Sequence, residues 1–113
     1  MEKKIFNKEA ALALVDNDKD ILKILIDSFM SVTFSIDCLN KLISKKNYNE
    51  AAAYVHKTKG AGRQLCMERL ADSGQELEDV LRGKKKGDIS FLSKKMAADY
   101  ETALKSAMLF NNN

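Results

Sequence analysis

The sequence predicts an all-α protein, an antiparallel up-down four-helix bundle with an additional short N-terminal helix. Three observations carry this. The 113 residues include no proline and only five glycines, so little interrupts a helix. Apolar residues recur at spacings of three and four along several stretches, the period of a helix with one buried face. The breaks between those stretches are short, which makes neighbouring helices antiparallel. The length is that of one domain with a real core, taken here as residues 1–113.

In order, the first helix is expected over Lys8–Val15. Asn7 is its N-cap, Glu9 favours the first turn, and Ala11, Leu12 and Val15 form its apolar face. Asp16-Asn17-Asp18 ends it and caps the next helix. That second helix is predicted as one long rod from Lys19 to Lys46, with the stripe Leu22, Leu25, Phe29, Val32, Ile36, Leu39 and Ile43. Ile26 widens the stripe. Met30 and Phe34 do not fit it: either the first helix covers them, or they form an exposed patch that docks a partner.

Asn47 and Glu50 resemble a capping box opening a third helix, Tyr48 to Leu65. A fourth runs from Met67 to Arg82, its inner stripe Leu70, Gly74, Leu77 and Leu81, with Gly83 as its stop. Gly83-Lys84-Lys85-Lys86-Gly87 is a solvated loop by composition. Asp88 caps a fifth helix to Phe110 along Ile89, Leu92, Met96, Tyr100, Ala103 and Ala107, and Asn111-Asn112-Asn113 is expected to fray.

Composition excludes several functions. Apolar residues make up 45% and charged residues 31%, as in ordinary folded domains, which argues against disorder. A net charge of +3, spread over both signs, supports neither nucleic-acid binding nor attachment to acidic lipid. No apolar run approaches the roughly 18 residues that span a membrane. The N-terminus lacks the apolar segment of a secretion signal. A cytoplasmic location is therefore expected, and the initial Met and domain-sized length favour a free-standing chain over an excised domain. Cys38 and Cys66 are read as small core residues, neither a disulfide framework nor metal ligands. No metal site and no cofactor are expected, and no Gly-rich phosphate loop suggests nucleotide use.

The chemistry concentrates in Val55-His56-Lys57-Thr58-Lys59-Gly60-Ala61-Gly62-Arg63, which holds the sole histidine. Wound as a helix, it puts Val55, Thr58, Gly62, Leu65 and Cys66 on a packing face. His56, Lys59, Gly60 and Arg63 fall on the other face. A mid-helix glycine costs about 0.5–1 kcal/mol relative to alanine. Gly60 follows the histidine by one turn, where a missing side chain leaves room for an approach to the imidazole. Lys59 and Arg63 are the candidates to neutralise an anion there, and Gln64 could hydrogen-bond the imidazole or the phosphate. A histidine that receives a phosphoryl group is the reading.

In this helical order, His56-Lys57-Thr58-Lys59-Gly60-Ala61 resembles the histidine-containing phosphotransfer (HPt) domains of multistep two-component relays. Their motif is His-x-Leu-Lys-Gly with a glycine ten positions after the histidine. Leu70 and Gly74-Gln75-Glu76-Leu77-Glu78 look like the family's following helix. Lys46-Asn47-Tyr48 and Lys86-Gly87-Asp88 sit where the family turns. The resemblance covers Asn7 to Ala107. Thr58 replaces the usual Leu, and Cys66 the usual Gly at the bend after the helix.

The resemblance implies that His56 accepts a phosphoryl group from a receiver-domain aspartate and passes it to another receiver. Lys59 would neutralise charge and Gly60 would give the partner clearance. The partners implied are receiver domains of hybrid histidine kinases and response regulators, bound transiently. They would supply the metal ion and acidic pocket, so the chain would be a phosphocarrier without autokinase activity. The alternative is a non-catalytic interaction module acting through Met30 and Phe34. A histidine-kinase dimerisation pair fits less well, because it places an acidic residue and a proline soon after its histidine, and Lys57 stands here.

Overall fold

The computed structural model describes residues 2–112. Six helices follow one another among them: α1 (Lys8–Leu14), α2 (Lys19–Ser31), α3 (Ile36–Ser44), α4 (Tyr48–Gln64), α5 (Glu68–Leu81) and α6 (Ile89–Asn111). No strand occurs among the described residues, so the protein is all-α.

Three helix starts follow the expected capping chemistry, a side-chain oxygen accepting otherwise orphaned N–H groups. Asn7 Oδ1 accepts from Ala10 N–H at 3.2 Å and Asp88 Oδ1 from Phe91 N–H at 3.1 Å. Asp18 Oδ1 accepts from Asp20 and Ile21 at 3.0 and 3.2 Å. Asn47 makes no such bond, so the expected capping box with Glu50 does not form. The chain instead turns out of α3 through Lys46 at φ 61°, and Asn47 N–H donates to Leu42 O at 2.9 Å.

The rod expected over Lys19–Lys46 is two helices, α2 and α3, separated at residues 32–35. Val32 and Thr33 are β-branched and stiff, which weakens the helix locally. Ser35 then caps α3, its hydroxyl accepting from Cys38 N–H at 3.4 Å. Two tyrosines satisfy the freed backbone. The Tyr54 hydroxyl accepts from Ser35 N–H at 2.7 Å, and the Tyr100 hydroxyl donates to Val32 O at 3.3 Å. The periodic stripe concealed the break because Leu22 and Phe29 before it and Leu39 after it all reach the core.

The break also decides Phe34. Its side chain turns inward, is 8% exposed, and stacks on Tyr54 with centroids 5.5 Å apart at 20°. Tyr100 lies tilted against it at 5.5 Å. Phe34 is therefore not a surface docking residue, and its cover comes from α4 and α6. Met30 is half-buried against the same core and does not stand clear either. Cys38, expected inside, is exposed in the first turn of α3, and Cys66 is half-buried.

The centre of the fold is the α4–α5 pair, with α6 packed on α5 and both α2 and α3 against α6. Leu22, Ile26, Leu39, Val55, Leu70 and Met96 are fully enclosed. Asn111 Nδ2 donates to Asp27 Oδ1 at 2.8 Å while Tyr100 reaches Val32, so α6 runs opposite to α2. Asn111 is thus fastened rather than frayed, and Asn113 lies outside the described residues. The bend between α4 and α5 is sharp without glycine. Cys66 takes the left-handed conformation at φ 57°, and its carbonyl accepts from Asn7 N–H at 3.0 Å.

Phe34→Ala is expected to lower stability by about 3–5 kcal/mol in urea unfolding, since it empties a ring-sized space between two tyrosines. A stability within about 0.5 kcal/mol of the parent, the usual range for surface substitutions, would show that the ring is not buried.

Candidate functional site

His56 stands in the middle of α4, at the edge of its buried face. Ala52, Val55, Thr58 and Gly62 point inward, and the His56 side chain is 61% exposed. Across the α4–α5 seam lies Glu78, only 8% exposed. His56 Nδ1 is 3.1 Å from both carboxylate oxygens. Lys59 Nζ donates to Oε1 at 2.8 Å, and Arg82 Nε donates to Oε2 at 2.9 Å. One buried carboxylate thus receives three nitrogen donors, two from α4 and one from Arg82, the residue that caps the end of α5.

The electrostatics of Glu78 set the state of the histidine. Burial alone would push its carboxyl up, because desolvation disfavours charge. The hydrogen bonds from Lys59, Arg82 and His56 outweigh it and hold the group down at about 2. Glu78 is therefore an anion at any physiological pH and can only accept hydrogen bonds. Nδ1 of His56 must then carry a hydrogen. In the neutral ring this leaves the lone pair on Nε2, the nitrogen away from Glu78. A neutral nucleophile with its far side held by a carboxylate is an arrangement that can take up and release an electrophilic group.

Lys59 departs from the expectation of an exposed basic face. The residue is 4% exposed, and its ammonium is committed to Glu78 and to Gln75 Oε1 at 2.9 Å. The reason lies on α5. A Cβ built on Gly74 would sit 2.9 Å from Lys59 Cβ, so the absence of a side chain there lets the lysine stem lie down on the neighbouring helix. Arg63 also differs. It is exposed, two turns beyond His56, and its Nη2 reaches Gln75 Oε1 at 3.4 Å. It borders a separate hollow with Lys3, Glu68 and Asp72, away from the ring.

Gly60 stands in open space, with nothing within 4 Å of an added Cβ. The chain's own packing does not require a glycine there. Beside it runs a groove of about 340 Å³, walled by Leu25, Phe29 and Val32 of the α2 side and by His56, Gly60 and Gln64 of α4. Gln64 is exposed at that wall, whereas His56 Nδ1 is bonded to Glu78. Met30 and Phe34 do not line the groove.

Sequence reasoning missed Glu78, Arg82 and Gln75 as members of this cluster. Glu78 follows His56 by 22 positions on another helix, beyond the reach of helical periodicity. Its signal was the Leu77-Glu78 pair, a charge placed next to the inner stripe of α5.

A family model for the Hpt domain matches residues 20–108, a span that includes His56, Lys59, Glu78 and Arg82. The chain belongs to the Hpt domain family. No curated protein and no solved structure matches it. Hpt domains are phosphocarriers of two-component signalling and interact with receiver domains. The left-handed Cys66 fits the bend where the Hpt motif has glycine, so the turn keeps its sharpness with a less suited residue. No helix among the described residues is long and apolar enough to cross a membrane.

Glu78 ties the site to stability. Its carboxyl ordinarily titrates at 4.5 and is held at about 2 in the fold, so its contribution is full above 4.5 and disappears as pH falls through 2. Glu78→Gln is expected to cost about 3–5 kcal/mol at neutral pH, because Lys59 is left as an uncompensated buried charge. Urea unfolding from pH 7 down to pH 2 should also show a shallower acid loss in the variant. Parallel curves for the two proteins would contradict the ion cluster.

Proposed function

We propose that the protein is the histidine phosphotransfer component of a multistep phosphorelay, with His56 as the phosphoacceptor. The observation that carries this is the exposed imidazole whose Nδ1 lies 3.1 Å from both oxygens of a buried carboxylate. The Nε2 lone pair attacks the phosphorus of an aspartyl phosphate on a receiver domain. A nitrogen–phosphorus bond forms, the acyl-phosphate bond breaks, and the receiver aspartate leaves as a carboxylate. The hydrogen stays on Nδ1 throughout, so no proton need be moved. The phosphorylated ring carries a positive charge, which Glu78 stabilises from behind. Transfer to a second receiver is the reverse of this step.

Positioning and charge neutralisation dominate phosphoryl transfer, and here the two sides of the ring share the work. Lys59 acts through Glu78 rather than on the phosphate. Arg82, bonded to Glu78 through Nε, has its terminal nitrogens to offer a phosphoryl oxygen. Lys57, exposed and bordering the groove, is the other near cation. The open side at Gly60 and the half-buried apolar rim of Leu25 and Val32 give a receiver a place to rest. A pure interaction module acting through Met30 and Phe34 loses its surface with the burial of Phe34.

His56→Gln should abolish labelling by a phosphorylated receiver while circular dichroism stays helical. Residual acid-labile phosphate on that variant would remove His56 as acceptor. Gly60→Leu should raise stability by up to about 1 kcal/mol, since a good helix former replaces a mid-helix glycine in open space, and slow transfer by about tenfold or more as the partner is held off. An unchanged transfer rate would show that the gap plays no part.

A further inference from the structure

Gln75 lies on α5, half-buried, one turn before Glu78 on the same helix. Its side-chain hydrogen bonds do not include His56. Its Oε1 accepts from Lys59 Nζ at 2.9 Å and from Arg63 Nη2 at 3.4 Å, while its Nε2 donates to Asp79 Oδ1 at 2.9 Å. The amide can face only one way. Turned over, it would set its NH₂ against two cations and its carbonyl against a carboxylate. Asp79 therefore aims the carbonyl of Gln75 at Lys59. The lysine is enclosed, and an ammonium has three hydrogens to place. Glu78 takes one and Gln75 another. Side-chain contacts then run without a gap from Asp79 to Gln75, Lys59, Glu78 and His56 Nδ1.

We propose that Gln75 is a positioning residue for phosphoryl transfer: by pinning the buried Lys59 ammonium it holds Glu78 square to His56 Nδ1. This rests on His56 being the phosphoacceptor. With Gln75 removed, Lys59 has one protein partner in an enclosed space. It must turn toward water and draw the carboxylate with it. Glu78 then no longer faces Nδ1 with both oxygens, and the hydrogen spreads over both ring nitrogens. A lone pair shared between Nδ1 and Nε2 leaves fewer molecules ready for attack.

The test is Gln75→Met, which keeps length and apolar bulk but no acceptor. Phosphoryl acceptance from a phosphorylated receiver is expected to slow by about tenfold. In ¹⁵N spectra of the unphosphorylated protein, the sole histidine is expected to move from one tautomer toward a mixture. The exchange Gln75→Glu with Asp79→Asn swaps acceptor and donor between the two positions. It should restore both the rate, to within about twofold, and the single tautomer.

An unchanged rate and tautomer ratio in Gln75→Met would overturn the proposal. So would a slower rate that tracks thermal unfolding while the tautomer stays as in the parent, or a paired exchange that restores neither. A parent protein that takes no phosphoryl group at all would defeat the function proposed above. The ¹⁵N measurement, made without phosphate, would still decide whether Gln75 orients the ring.

Discussion

A single buried carboxylate governs the site and part of the fold. Glu78 has lost its water, a state that costs several kcal/mol for an isolated ion, and it persists because three nitrogen donors replace that water. Two of them are the Lys59 ammonium and the Arg82 guanidinium. The third is the imidazole, which must present a hydrogen because the carboxylate cannot. From this follow the hydrogen on Nδ1, the free lone pair on Nε2 and the burial of a lysine that would otherwise sit in solvent. Gly74 belongs to the same constraint, since a methyl group there would collide with the Lys59 stem.

The packing around α4 serves this arrangement. The α4–α5 seam brings His56 and Glu78 together. The interruption between α2 and α3 shapes the other side of the ring. Ending α2 at Ser31 leaves Leu25, Phe29 and Val32 as one wall of the groove, while Phe34 turns away into the core under Tyr54 and Tyr100. The two tyrosine hydroxyls that satisfy the broken backbone also hold α4 and α6 to that break. The groove beside His56 is thus bordered by two well-packed elements, and rigid supports of that kind keep a reacting atom in register.

Local chemistry was legible in the sequence. The caps at Asn7, Asp18 and Asp88, the stripes of α5 and α6, the left-handed stop at Gly83 and the gap at Gly60 all depend on neighbours within a turn or two. What escaped depends on partners far along the chain. The apolar stripe of residues 22–43 stays in phase across the helix break, and the Tyr54 and Tyr100 hydroxyls that satisfy the broken backbone come from α4 and α6. Lys59 lies at the edge of its helix's polar arc, so periodicity placed it outside. Glu78, 19 positions on, pulls it inside. Arg63 was placed beside His56 by angle alone, although two turns of rise separate them.

The identity of the reacting nitrogen tests the central claim most directly. After transfer from a receiver, ¹⁵N–³¹P coupling in the labelled protein reports which ring nitrogen bears phosphorus. With Glu78 holding the Nδ1 hydrogen, the phosphoryl group is expected on Nε2. Phosphorus bonded to Nδ1 would mean that the carboxylate releases the ring before reaction, and would contradict the role given to Glu78.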